Sequence, residues 1–135
     1  ANRFGSQSLI GSGTFWCESE TKPEIRPRRH FLVPHEMRSR IKLMEALGVG
    51  EIMISDASRD GNREGSNLEL LQNAISITDL PVINSCGFGK TSHFRDSFIM
   101  GSSAVAVGTY FAYVDQSILQ LRNQLNNFGI RVRTK

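Results

Sequence analysis

Three short segments of this chain bring together small residues, hydroxyl groups and a potential helix start. They are Asp60-Gly61, Ser85-Cys86-Gly87-Phe88-Gly89 and Gly108-Thr109. Each follows a short apolar run and precedes a stretch with helical spacing. Glycine lets backbone N–H groups come close to an oxyanion, and a helix N-terminus turns partial positive charge toward it. The hydroxyls of Ser85 and Thr109 add side-chain donors. Any one of these loops could be no more than a tight turn. Three on one edge of a sheet point instead to a bound phosphate, either free or carried by a small phosphorylated molecule.

The other candidate groups are less informative. Cys17 and Cys86 are too few for a disulfide scaffold or a zinc site, which fits a reducing, cytoplasmic setting. Cys86 reads as a small packed loop residue, with a reactive thiol as the alternative. His30, His35 and His93 show no metal-ligand spacing, so no metal and no cofactor are expected. The 16 basic and 13 acidic residues leave a net charge of +3, too mild to argue for nucleic acid. The densest basic cluster, Arg26, Arg28, Arg29 and His30, reads as a solvated loop, with a phosphate- or partner-binding patch as the sharper alternative. No apolar run approaches the roughly 20 residues that span a bilayer. The first residues lack the basic start and apolar core of a signal peptide.

The elements that must position the three loops follow from periodicity. A chain of 135 residues that is 39% hydrophobic suffices for one packed domain, taken as residues 1–135. Residues 7–11 read as a strand opening into Gly13, and residues 13–34 as a long loop or short hairpin. Pro34 suits a first helical position, and Met37, Ile41, Met44 and Leu47 then line one helical face up to Gly48. Residues 51–55 form an apolar strand, followed by a turn-rich loop. Ser66 or Asn67 caps a helix carrying Leu68, Leu71 and Ile75. Residues 81–84 are a third strand, Thr91 or Ser92 caps a helix with Phe94 and Phe98 inward, and residues 104–107 are a fourth strand. A last helix, 116–127, turns Ile118, Leu121, Leu125 and Phe128 inward. Strands alternating with helices imply an α/β fold with parallel pairing. All three glycine loops then lie at the carboxyl edge of the sheet, where such folds bind ligands.

The run Gly48-Val-Gly-Glu-Ile-Met-Ile-Ser-Asp-Ala-Ser-Arg-Asp-Gly61 closely resembles a family, as do Leu68-Glu-Leu-Leu71 and Leu80-Pro-Val-Ile-Asn-Ser-Cys-Gly-Phe-Gly-Lys90. Ala104-Val-Ala-Val-Gly-Thr-Tyr-Phe111, Phe128-Gly-Ile-Arg-Val-Arg133 and the opening Phe4-Gly-Ser-Gln7 are similar to the same proteins. These are the cyclase subunits of imidazole-glycerol-phosphate synthase. The resemblance implies half of a (β/α)8 barrel, strands five to eight, in a family whose complete barrel has about 250 residues. It also implies histidine biosynthesis. Ammonia from a glutaminase partner passes through the barrel to a bisphosphorylated ribulosyl ribotide, which is closed to a ring and cleaved. By position, this half would hold one substrate phosphate with Ser55, Asp60, Gly61, Ser85, Gly87, Gly108 and Thr109. Glu51 would stand at the ammonia entrance.

The chain departs from that pattern at the acid–base pair. The family uses two aspartates, at the ends of strands one and five. Strand one has no counterpart here, and the strand-five position falls on Thr14, whose hydroxyl cannot serve as that acid or base. No catalytic pair is therefore expected intact. The family's glycine pair after strand seven is altered to Cys86-Gly87. Such a half is expected to be inactive alone. The alternative is a non-catalytic ammonia-channel or glutaminase-binding scaffold, similar to cyclase-like subunits associated with surface-polysaccharide sugar amidation. Four βα units also leave two unpaired edges and an open, apolar lumen face. A homodimer closing an eight-stranded barrel is the expected remedy.

Overall fold

A computed structural model describes residues 5–15, 17, 36–115 and 117–133. The basic cluster, Pro34, His35, Phe4 and most of the expected 13–34 loop lie outside the described residues. Four strands form one sheet in the order β1 (Ile10–Phe15), β2 (Glu51–Asp56), β3 (Val82–Ser85) and β4 (Ala104–Ala106). Every neighbouring pair is parallel. Between them run α1 (Met37–Ala46), α2 (Leu68–Ile75) and α3 (Thr91–Met100). After β4 come a single turn, α4 (Thr109–Tyr113), and a longer helix, α5 (Ile118–Asn127).

The first strand starts and ends later than the sequence reading placed it. Gly13 and Thr14 belong to β1 rather than to the loop, because pairing with Ile54 and Ser55 of β2 carries the ladder to Phe15. Its alternation is regular: Gly11, Gly13 and Phe15 are buried, while Ile10, Ser12 and Thr14 are exposed. Two-residue periodicity sends successive side chains to opposite faces. One face of the sheet is therefore covered by helices. On that side Phe15, Ile52, Ile54 and Val82 join Met37, Ile41, Leu70, Leu71 and Ala74 in a continuous core. A second cluster joins α3, α4 and α5 through Phe94, Tyr110, Leu121 and Leu125.

The opposite face is the would-be lumen. Across it, register sets Thr14 beside Ser55, Ser55 beside Ser85 and Ser85 beside Ala106. One level down stand Ser12, Met53, Ile83 and Ala104. The surface is thus poorer in large apolar side chains than expected. Among the described residues Ile10, 54% exposed, is the one strongly exposed large hydrophobic that the register places on it. Other exposed apolar groups lie on helices. Leu43 lies on α1 and Leu47 in the turn after it, and Ile118 and Leu119 lie on α5. Leu47 and Ile118, expected inward, are 67% and 63% exposed, and Phe128 is also exposed.

Helix ends follow capping chemistry in part. Asn67 Oδ1 accepts from Leu70 N at 3.0 Å, and Ser117 and Gln120 form a reciprocal capping box. The expected Thr91 or Ser92 cap gives way to Lys90, an extended residue with no side-chain cap bond.

Two polar constructions sit on the helix-covered side. Asn84 Nδ2 donates to Ser66 Oγ at 3.0 Å and to Ser97 Oγ at 2.9 Å, and Ser97 meets Ser102 at 3.0 Å. The buried Asp56 carboxylate accepts from Ser58 N (3.0 Å), Ser58 Oγ (2.6 Å) and Asn67 Nδ2 (2.7 Å). Asp56 therefore ties the end of β2 to the start of α2. Burial first, and then Asp56, pushes the Cys17 thiol up to about 12, so that thiol stays protonated. Replacing Asp56 by Ala strands these donors. Chemical denaturation is expected to show a loss of about 2–3 kcal/mol in unfolding free energy.

Candidate functional site

The loops following β2, β3 and β4 meet at the carboxyl edge of the sheet. Between them lies a pocket of about 70 Å³. Four of the expected residues line it: Asp60, Gly87, Gly108 and Thr109. Cys86, Phe88, Ala106 and Val107 complete the wall. Ser55, Gly61 and Ser85 do not line it. Ser55 and Ser85 stand beside it on the lumen face, and Gly61 turns the chain at φ +79° with open space around it.

The shape of the pocket rests on a contact between backbones. Gly65 N donates to Gly87 O at 2.8 Å. A Cβ on Gly87, itself at φ +82°, would press into the Gly65 carbonyl, and one on Gly89 would press into the Arg63 carbonyl. The β3–α3 loop can therefore lie on the β2–α2 loop only with glycine at both positions. Phe88 pins this loop from below. Its ring is 4.7 Å from that of Phe94, which is 4.9 Å from Tyr110 of α4. Gly108 has an ordinary negative φ, and a Cβ there would meet nothing within 4 Å, so no neighbour in the fold requires its smallness.

The pocket offers hydrogen-bond donors. Among the described residues, the backbone N–H groups of Gly87, Phe88 and Gly108 donate to no other backbone carbonyl. Gly87 and Phe88 are buried, and buried N–H groups left in this way seek an acceptor, while the Gly108 amide lies on the exposed rim. Thr109 lines the same wall. Cys86 adopts φ +75°, a conformation that favours glycine. Burial pushes its thiol up, and Asp60 and Asp56 push the same way, against hydrogen bonds from Ser85 and Ser55. The group is therefore a neutral thiol, which matches a packed loop residue rather than a thiolate nucleophile.

Glu51 and Thr14 fall where register dictates. Glu51 begins β2 at the amino end, opposite Ile10. Thr14 is exposed on the lumen face near the carboxyl end, beside Ser55. Sequence reasoning missed Phe88, Ala106 and Val107 as pocket walls. Ala106 could have been found from alternation, since it shares the Ser85 level of the sheet.

Four parallel strands alternating with helices, with a concave donor-lined pocket at the carboxyl edge, define a half-barrel-sized α/β unit of the TIM-barrel type. A solved relative in fold is the (S)-3-O-geranylgeranylglyceryl phosphate synthase from Thermoplasma acidophilum in complex with its substrate sn-glycerol-1-phosphate. It superposes with a TM-score of 0.64 at 12% identity, over 87% of this chain and 47% of that one. The chain belongs to the histidine biosynthesis protein family, whose model matches residues 33–116. It is similar to imidazole glycerol phosphate synthase subunit HisF. The Pyrococcus furiosus subunit is 32% identical and the Wolinella succinogenes subunit 28% identical, each over 139 residues and 98% of this chain. The chain spans about half the length of these curated relatives, 53% in both cases.

One histidine stabilises the pocket loop. His93 Nδ1 accepts from Gly89 N at 3.2 Å, and the ring packs over Gly65. Burial, then Lys90, holds its pKa below the ordinary value, while Asp96 opposes them. The folded protein therefore favours neutral His93, which alone can accept that bond. The unfolded chain binds the proton more readily, so this contribution is complete above the ordinary histidine value of about 6.5 and is lost as pH falls below it. Denaturation midpoints should drop from neutral pH toward pH of about 5. His93→Gln should flatten that part of the profile.

Proposed function

We propose that this chain is the phosphate-holding half of a HisF-like cyclase barrel. Its ligand is one phosphate of a bisphosphorylated ribulosyl ribotide. The pocket is the observation that carries this reading: Gly87, Gly108, Thr109 and the unused amides around them form a donor-rich concavity at the edge where α/β barrels hold phosphates. Ser55 and Ser85 extend it along the lumen face. Residues 1–135 act as one half-barrel domain. Glu51, at the amino end, belongs to the rim through which ammonia from a glutaminase subunit would enter.

Thr14 favours inactivity alone. It occupies the lumen face near the carboxyl end of β1 and presents a hydroxyl where ring closure needs a proton carrier. The same observation supports the second reading, a non-catalytic ammonia-channel or glutaminase-binding scaffold. Closure of the barrel is assigned to a second copy of the chain. The outer edges of β1 and β4, unpaired among the described residues, with exposed Leu43 on the helix after the first and Ile118 and Leu119 on the helix after the last, supply surfaces for a twofold assembly.

Calorimetry tests the site. Inorganic phosphate at millimolar concentration, and the bisphosphorylated ribotide more tightly, are expected to bind, and Gly108→Val should weaken both about tenfold or more by filling the pocket. Absence of binding by the unaltered protein would remove the site assignment. Enhancement of a glutaminase without cyclase turnover would select the scaffold reading. Sedimentation is expected to give a dimer, and a stable compact monomer would refute the assembly.

A further inference from the structure

We infer that Arg63, which does not itself line the anion pocket but is held between its β2 and β4 loops by the ring of Tyr113, is the pocket's cation and a specificity-determining residue. The inference rests on the phosphate-binding reading above. The pocket has a charge problem. Its one charged wall residue is Asp60, a carboxylate. The helix that starts at Thr109 is a single turn, so its macrodipole is small. His93 is held neutral, and its Nδ1 is occupied by Gly89 N. Arg59 is committed elsewhere, with Nη1 on Gly65 O at 3.2 Å and Nε 3.8 Å from Asp56.

Arg63 differs on each count. It lies three residues after Asp60, in the loop on which Gly87 and Gly89 rest, and its φ of +60° is unusual for a residue with a side chain. Its guanidinium carbon is 5.2 Å from the centroid of the Tyr113 ring. Tyr113 ends the same helical turn whose first residue, Thr109, lines the pocket. The side chain therefore reaches from the loop after β2 to the element after β4. Among the described residues Arg63 has no ion pair, and its Nε is buried without an acceptor. Arg122 Nε shares that orphaned state, but it lies on α5, outside the pocket-lining loops. A buried N–H without a partner calls for one, and a phosphate oxygen supplies it. A guanidinium can stack on an aromatic face and still present its edge to phosphate oxygens.

The experiment titrates the unaltered protein, R63Q, R63K and Y113L with inorganic phosphate by calorimetry, at about 20 and about 200 mM salt. R63Q is expected to lose about tenfold in affinity and most of the salt dependence. R63K should recover much of both, since it restores the charge without the fork. Y113L should lose a few-fold through misplacement of the guanidinium while keeping the salt dependence. Because Tyr113 is 71% exposed, Y113L preserves the core and still reports if R63Q does not fold. If R63Q, or failing that Y113L, binds phosphate within twofold of the unaltered protein and with the same salt dependence, the role of Arg63 is overturned while the pocket stands. If the unaltered protein binds no phosphate, the pocket reading falls and the inference with it.

Discussion

The geometry of the ligand edge depends on one contact, the bare backbone of the β3–α3 loop lying on that of the β2–α2 loop. The Gly65 N to Gly87 O hydrogen bond and the absence of side chains at Gly87 and Gly89 let two polar strands of loop touch directly. Asp56 fixes the lower loop to its strand and helix, and Phe88 fixes the upper loop to the aromatic cluster. With both loops held, Asp60, Gly87 and Gly108 face a common concavity. Loosening any of these ties moves a wall of the pocket rather than a distant part of the fold.

The sheet divides its labour by face. Residues that point at the helices are large and apolar or form closed hydrogen-bond sets, as Ile52, Ile54, Asn84 and Asp56 do. Toward the carboxyl end, residues that point at the lumen are small or carry hydroxyls, as Thr14, Ser55, Ser85 and Ala106 do, while Met53, Ile83 and Ile10 lie deeper on the same face. Apolar burial on one side supplies most of the favourable free energy. The other side is left free to carry chemistry.

Much of this was legible in the residues. The alternation of short apolar runs with helical spacing revealed four parallel strands and put three glycine loops on one edge. Local chemistry also marked Gly48 as a helix end, and it adopts positive φ there. What escaped depends on tertiary context. The turn Thr109–Tyr113 is too short to show a period. The length of β1 is set by its partner rather than by its own propensity, since Gly11 and Gly13 are poor strand formers. Leu47, Ile118 and Phe128 fit an apolar stripe but end on the outside, because the helical face that packs is narrower than the stripe. Arg63 carries no motif at all, and its place beside the ring of Tyr113 and its unpartnered buried Nε emerge only in space.

Strand alternation has an evolutionary corollary. Odd and even positions along β2 answer to separate demands: Ile52, Ile54 and Asp56 to folding, Met53 and Ser55 to whatever occupies the bore. A side chain at one lumen-facing position, such as Thr14, can therefore change without disturbing the scaffold that carries it. Old architecture can in this way be handed a new ligand, and a saturation library of these strands would split its tolerance by the parity of the residue number.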